Sequence, residues 1–434
     1  MERILELAKK AAEEAEVYLV RSKDTPVGWE SNRLKMLETS ESTGVSLRII
    51  KNGRIGFASS THLSDPQSLV DMAVETSQFG AEARFEFPSA QSYSRVAVYD
   101  GKVDKVGIDA MVDMGNDLVA RLLAHNPELV CEAQVSKSEI EVKIINSRGG
   151  QAGYRKSYFA ASIEGTLIHG TDMLFVGDAD VSCHPIRSID KIIDSTIEQL
   201  ELCKRMATIA TGSYPVILTP KGVINALATP LAMAVNGKMV LEGASPLGGK
   251  VGQQLFDARL TIWDDPTVAY RPASRPCDGE GVASQRTALV DNGTVGNFLY
   301  DLQTAALAGT RSTGSGVRAR GSLPSPSTSA IIIKEGDVAY SDMLRGIKEG
   351  LVVEMLIGAG QGNVLGGEFS GNVLLGYKIE NGELVGRVKD TMIAGNIYES
   401  LKEIQAIGRK AEWLAGSYKA PHMCLSNISV ASKG

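Results

Sequence analysis

Residues 2–16 place Ile4, Leu5, Ala8, Ala11, Ala12 and Ala15 on one stripe of a 3.6-residue period, which predicts an amphipathic helix. Strand-like segments follow. "GVSLRIIKNGRIGFAS" (44–59) alternates about Asn52-Gly53, the pair that supplies the positive φ angles of a two-residue hairpin. "SDPQSLVDMAVETSQFG" (64–80) predicts a helix capped by Asp65, opened by Pro66 and stopped at Gly80. A helix is expected over about 106–124, then alternating strands over 138–168 and 172–182 joined by a glycine turn. The stripe of Ile189, Ile192, Ile193, Ile197 and Leu200 predicts a helix over about 188–208.

The texture changes near Gly212, where glycine and short strands become frequent. A strand is expected at 214–219, then a helix at about 220–235 bent or broken at Pro230. Asn292-Gly293 and Asn381-Gly382 predict two more hairpins. A short helix near 342–349 leads into the buried strand "GLVVEMLIGAG", a helix is expected over about 397–415, and "HMCLSNISVAS" alternates like a closing strand. Helices and hairpins are segregated, so the fold class is α+β. The expected domains are 1–211, with helices packed on a mixed or antiparallel sheet, and 212–434, hairpin-rich with a few helices.

Composition narrows the function. With 43% hydrophobic and 22% charged residues the chain is an ordinary globular one, and no run of eighteen apolar residues would span a membrane. The charged, amphipathic start lacks an apolar signal core, so a cytoplasmic location is expected. A net charge of −6 argues against direct nucleic-acid binding. Five scattered cysteines without a C-x-x-C suggest reduced thiols.

Four stretches invite chemistry. "LEGASPLGGKVGQQ" (241–254) looks like a phosphate loop, but five residues separate Gly243 from Gly249 where four are needed, and Val251 follows Lys250 where a hydroxyl belongs. "GAGQGNVLGGEFSGN" (358–372) lacks the dinucleotide spacing, since Leu365 stands where the third glycine is due. It reads as a turn between strands, or as an edge a peptide joins through Gly366, Gly367, Glu368, Phe369, Ser370, Gly371 and Asn372. Cys277 has Asp278 beside it, which would raise rather than lower its thiol pKa. His422 and Cys424 share one face of a strand, but two ligands do not make a zinc site.

Four blocks carry a resemblance: 38–60, 235–266, 275–306 ("RPCDGEGVASQRTALVDNGTVGNFLYDLQTAA") and 366–404. Together they resemble the TldD/PmbA family, in its PmbA (TldE) branch. The resemblance implies a cytoplasmic protease of paired subunits acting on small, poorly folded peptides, historically labelled a modulator of DNA gyrase. It implies an H-E-x-x-x-H helix and a C-terminal cysteine holding metal in the TldD branch. Here the corresponding helix reads "INALATPLAMAVNG" (224–237), without histidine or carboxylate. The leading expectation is a non-catalytic subunit, without a cofactor of its own, that pairs with a zinc-bearing TldD-type metallopeptidase and forms a homodimer when alone. The alternatives are a homodimeric metallopeptidase, with ligands such as His184, His422, Cys424 and a carboxylate meeting in space, and a regulatory binder linked to gyrase.

Overall fold

The computed structural model describes residues 1–62, 64–319 and 321–433. The first half opens with helix α1 (Glu2–Ala11), which ends earlier than its stripe suggests. Ala12 is extended, and Ala15 is buried as part of a long strand rather than a helix face. Strands β1 (Glu14–Glu30), β2 (Arg33–Leu37), β3 (Ser40–Lys51) and β4 (Arg54–Ser60) follow, then helices α2 (Pro66–Ser77) and α3 (Ile108–His125). Strands β5 (Val130–Asn146), β6 (Gln151–His169) and β7 (Asp172–Ser182) complete an antiparallel seven-stranded sheet in the order β4-β3-β1-β5-β6-β7, with β2 on β1. The Asn52-Gly53 turn has φ of 49° and 69°, as a two-residue hairpin requires. Asp65 caps α2 through the Ser68 amide at 3.0 Å.

Alternation divides the sheet into two faces. Val17, Leu19, Val45 and Leu47 pack against α1 and α2. Farther along the same face, Val27, Trp29, Ala133 and Ile163 pack against α3 and helix α4 (Asp190–Leu202), shorter at both ends than 188–208. Gly115 lets α3 lie flat there, since a β-carbon would sit 2.0 Å from the Trp29 ring.

The second half forms a twelve-stranded sheet, antiparallel in most pairs, among the described residues. Five of its strands, Gly212–Leu218, Glu349–Ile357, Glu368–Glu380, Thr391–Asn396 and Tyr418–Ser432, close into a ring by successive pairing. Helix α5 (Pro220–Ala234), capped by Thr219, lies on this sheet. It runs on as one helix through Pro230, so the expected break does not occur, and the Tyr398 hydroxyl donates to the Pro230 carbonyl at 3.3 Å. The helix expected near 342–349 covers Tyr340–Arg345. The helix expected over 397–415 is instead a single turn, Ile397–Ser400, followed by the strand Ile404–Leu414. That strand pairs with Tyr418–Ser432, so sheet pairing overrides the helix-forming Ala, Glu and Lys content. Overall the architecture is α+β. No helix among the described residues is long and apolar enough to cross a membrane.

Candidate functional site

The helix that the resemblance sets in correspondence with the metal-bearing one is α5. Its inner side, Val223, Ala226, Leu227, Leu231 and Ala234, is buried against Leu218, Val353, Met423 and Leu425 of the ring strands. Its exposed positions are Asn225 and Thr229, and the Asn225 carbonyl accepts from the Leu356 amide at 3.1 Å. A hydrolytic zinc ion takes imidazole, thiolate or carboxylate and keeps a base near its water. Nothing on α5 is of those types, so its residues do not fit such an ion.

Cys424 does not make up the deficit. Met423 and Leu425 pack with α5, whereas Cys424 joins Ile217, Val352 and Tyr377 on the opposite face of its strand. Its thiol lies 3.3 Å from Gln405 Oε1, and burial pushes its pKa up to about 12. His422 lines a cleft on that same far face, its ring 4.5 Å from Tyr340, and burial lowers its pKa. His184 sits elsewhere, with Nδ1 2.7 Å from Asp100 and its ring on Tyr270. Among the described residues no three His, Cys, Asp or Glu side chains converge on a metal-sized point. Among the described residues His184, His422 and Cys424 do not form a ligand cluster.

The cleft beside His422, of about 270 Å³, holds a cluster that no local motif announces. Lys221, in the first turn of α5, lies 3.2 Å from Asp178 of β7 and 3.5 Å from Glu354. Gln199 of α4 donates to Glu354 at 2.8 Å, and Tyr377 donates to it at 3.4 Å. Burial raises the Glu354 pKa despite Lys221. These groups satisfy one another across the two halves, and they come from separate elements, so sequence spacing could not reveal them.

The glycine-rich candidate lies next to α5. Gly367 is pressed on the Tyr398 ring, where a β-carbon would approach to 2.3 Å, and Tyr398 reaches Pro230. Phe369 is buried in the core of the second half, while Glu368, Ser370 and Asn372 are exposed on the other face. The stretch opens the strand Glu368–Glu380. Thr391–Asn396 pairs with all of Glu368–Asn372 on one side. On the other side Asn372 meets Ile357, and the Glu368 amide donates to Asn363 at 3.2 Å. The phosphate-loop lookalike is a series of turns after the short helix Gly237–Leu241, with Gly243, Gly249 and Gly252 at positive φ.

The 275–306 block locks the halves together. Arg48 of β3 reaches Glu280 at 2.6 Å and Glu16 of β1 at 3.2 Å, and Arg318 also pairs with Glu16. All four side chains are at most 3% exposed. Asp278 accepts from the amides of Glu280, Val282 and Gly316, and burial together with Glu280 raises its pKa. Cys277 is buried and its thiol is pushed up to about 12, so it is a poor nucleophile at neutral pH.

Residues 211–432 match the model of the PmbA/TldA metallopeptidase C-terminal domain, and residues 15–77 match that of the PmbA/TldA metallopeptidase domain 1. The chain belongs to the PmbA/TldD family. A PmbA/TldD-type relative in Haemophilus influenzae, named as a metalloprotease PmbA homolog, is 25% identical over 435 residues, covering 94% of this chain and 90% of that one. An uncharacterized protein of Methanocaldococcus jannaschii is 28% identical over 411 residues, 93% of each chain. The crystal structure of TldE from Thermococcus kodakarensis has the same fold, with a TM-score of 0.90 over the whole of both chains at 22% identity. Within this PmbA/TldD fold, α5 carries no His, Cys, Asp or Glu, and the 275–306 block bridges the two halves of the chain.

One member of that clamp region titrates. Lys156 of β6 is buried, donates to the Pro272 carbonyl at 2.7 Å and lies 5.7 Å from the rings of Tyr154 and Tyr158. Burial, with Arg275 adding to it, pulls its pKa from 10.5 down to about 7. Between these two values the unfolded chain holds the extra proton, so stability rises with pH across that window and is lost again as pH falls towards 7. Lys156→Met should flatten the rise, seen as a smaller pH dependence of the denaturant midpoint.

Proposed function

We propose that this chain is a non-catalytic subunit of a TldD/TldE-type peptidase, with 1–211 and 212–434 as its two domains. It pairs with a TldD-type metallopeptidase and helps enclose small unfolded peptides in a shared cleft. The observation that carries this reading is α5, a helix held in the family's fold on which no residue is a His, Cys, Asp or Glu. A fold survives the emptying of its site because packing and chemistry rest on different side chains. The exposed Glu368, Ser370 and Asn372 supply polar contacts to the peptide from the sheet face.

The test is reconstitution. The chain and a TldD-type partner are purified separately, and cleavage of an unfolded peptide is followed before and after mixing. Activity should depend on the partner and rise on adding this chain. A partner equally active with or without it would overturn the proposal.

A further inference from the structure

A cleft of about 550 Å³ lies on the face of the seven-stranded sheet turned away from α1 and α2. Val17 and Leu19 pack against those helices, so alternation turns Tyr18 and Val20 to the opposite face. There Ser59 of β4, Ser46 of β3 and Tyr18 of β1 stand in register, a row of three hydroxyls across neighbouring strands. Gly44, paired with Val20, keeps the floor low, since a β-carbon there would meet the Val20 side chain at 3.4 Å and otherwise open space. Arg318 from the second half forms one wall, its guanidinium 5.0 Å from the Tyr18 ring.

The polar groups of this cleft are unequally spent. Ser22 bonds to Ser42 at 2.8 Å, and Ser60 donates to the His62 carbonyl at 2.9 Å. Among the described residues the hydroxyls of Tyr18, Ser46 and Ser59 have no hydrogen-bond partner. The Arg318 side chain is 2% exposed. Its Nε donates to the Gly279 carbonyl at 2.6 Å and its Nη2 pairs with Glu16, but its Nη1 has no acceptor among the described residues. A buried donor without an acceptor is costly, and more so on a charged group.

The lining offers donors and no anion. Arg318 is the one charged side chain among the described residues that line it. A guanidinium and hydroxyls facing one space suit an oxygen anion, which accepts from all of them, and the planar fork of arginine matches a carboxylate. A cation would find no counter-charge there. Val20, Ile140 and Ala319 add apolar wall for a short hydrocarbon arm, and the volume is that of a small-molecule site.

We infer that this cleft binds a small carboxylate with an apolar arm, its oxygens held by Arg318 and by the hydroxyls of Tyr18, Ser46 and Ser59. A free acid and the end of a peptide both carry that chemistry. The site shares no residue with α5 and does not rest on the proposed metallopeptidase pairing. Its test uses this chain alone, so either reading can fail without the other.

Calorimetric titration of the whole chain with butyrate, N-acetyl-trialanine and N-acetyl-trialanine amide provides the test. At least one of the two acids should bind with a Kd below about 1 mM. Binding of butyrate alone assigns a free acid, and binding of the acid peptide, at least about tenfold tighter than its amide, assigns a chain end. Failure of both acids to bind, or an amide that binds as tightly as the acid peptide, would overturn the inference. Tyr18→Phe and Ser46→Ala should each weaken binding about tenfold, the scale of one hydrogen bond to a charged group. Ser59→Ala changes an exposed position on the edge strand and gives the same reading without touching the core. A loss in any variant that keeps the parent's unfolding midpoint supports the site, and unchanged binding in all three contradicts it.

Discussion

Replacing Arg48 by methionine should lower the stability of the folded chain by about 3–5 kcal/mol, because it strands buried carboxylates without their cation. Arg48 is the shared partner of Glu16 and Glu280, and it also lies 4.8 and 4.9 Å from the rings of Phe85 and Phe87. Burial opposes its charge, but Glu16 and Glu280 outweigh that and hold its pKa up. Methionine keeps much of the volume and the contact with the rings, so the loss isolates the charge. Glu16 retains Arg318, whereas among the described residues Glu280 keeps only the Leu302 amide, at 2.7 Å. The double change R48M/E280Q should therefore recover most of the loss. Denaturant unfolding reads both. A single change costing under about 1 kcal/mol, the range of an exposed pair, would show that the clamp does not hold the halves together.

In a reconstituted pair, N225A and T229A on α5 should leave peptide cleavage within about twofold, whereas removing a metal-binding histidine from the partner should lower it by about a thousandfold or more, the scale on which hydrolysis depends on an activated water. The contrast follows from where donors stand. Asn225 already spends its carbonyl on the Leu356 amide, and Thr229 brings only a hydroxyl. A large loss of rate constant, with the complex still formed, on changing either α5 residue would place chemistry on this chain.

Some features were legible because they depend on a few adjacent residues. The three Asn-Gly turns, at 52, 292 and 381, all adopt positive φ at both positions. Asp65 and Pro66 marked the start of α2 for reasons local to one helical turn. The missing ligands of α5 were legible too, since the absence of a residue type needs no geometry. Tertiary choices were not. Ile404–Leu414 is built of residues that suit a helix, and only its pairing with the last strand makes it extended, with Gly408 against the His422 backbone. Likewise Lys221 meets Asp178 and Glu354 only once both halves are folded.

The central claim is that this member of a metallopeptidase family has no hydrolytic centre of its own. Elemental analysis of the chain purified without its partner, on protein also assayed with an unfolded peptide, tests it most directly. The account predicts zinc far below one equivalent and no cleavage that a chelator abolishes. About one tightly held zinc per chain, with chelator-sensitive cleavage, would contradict it.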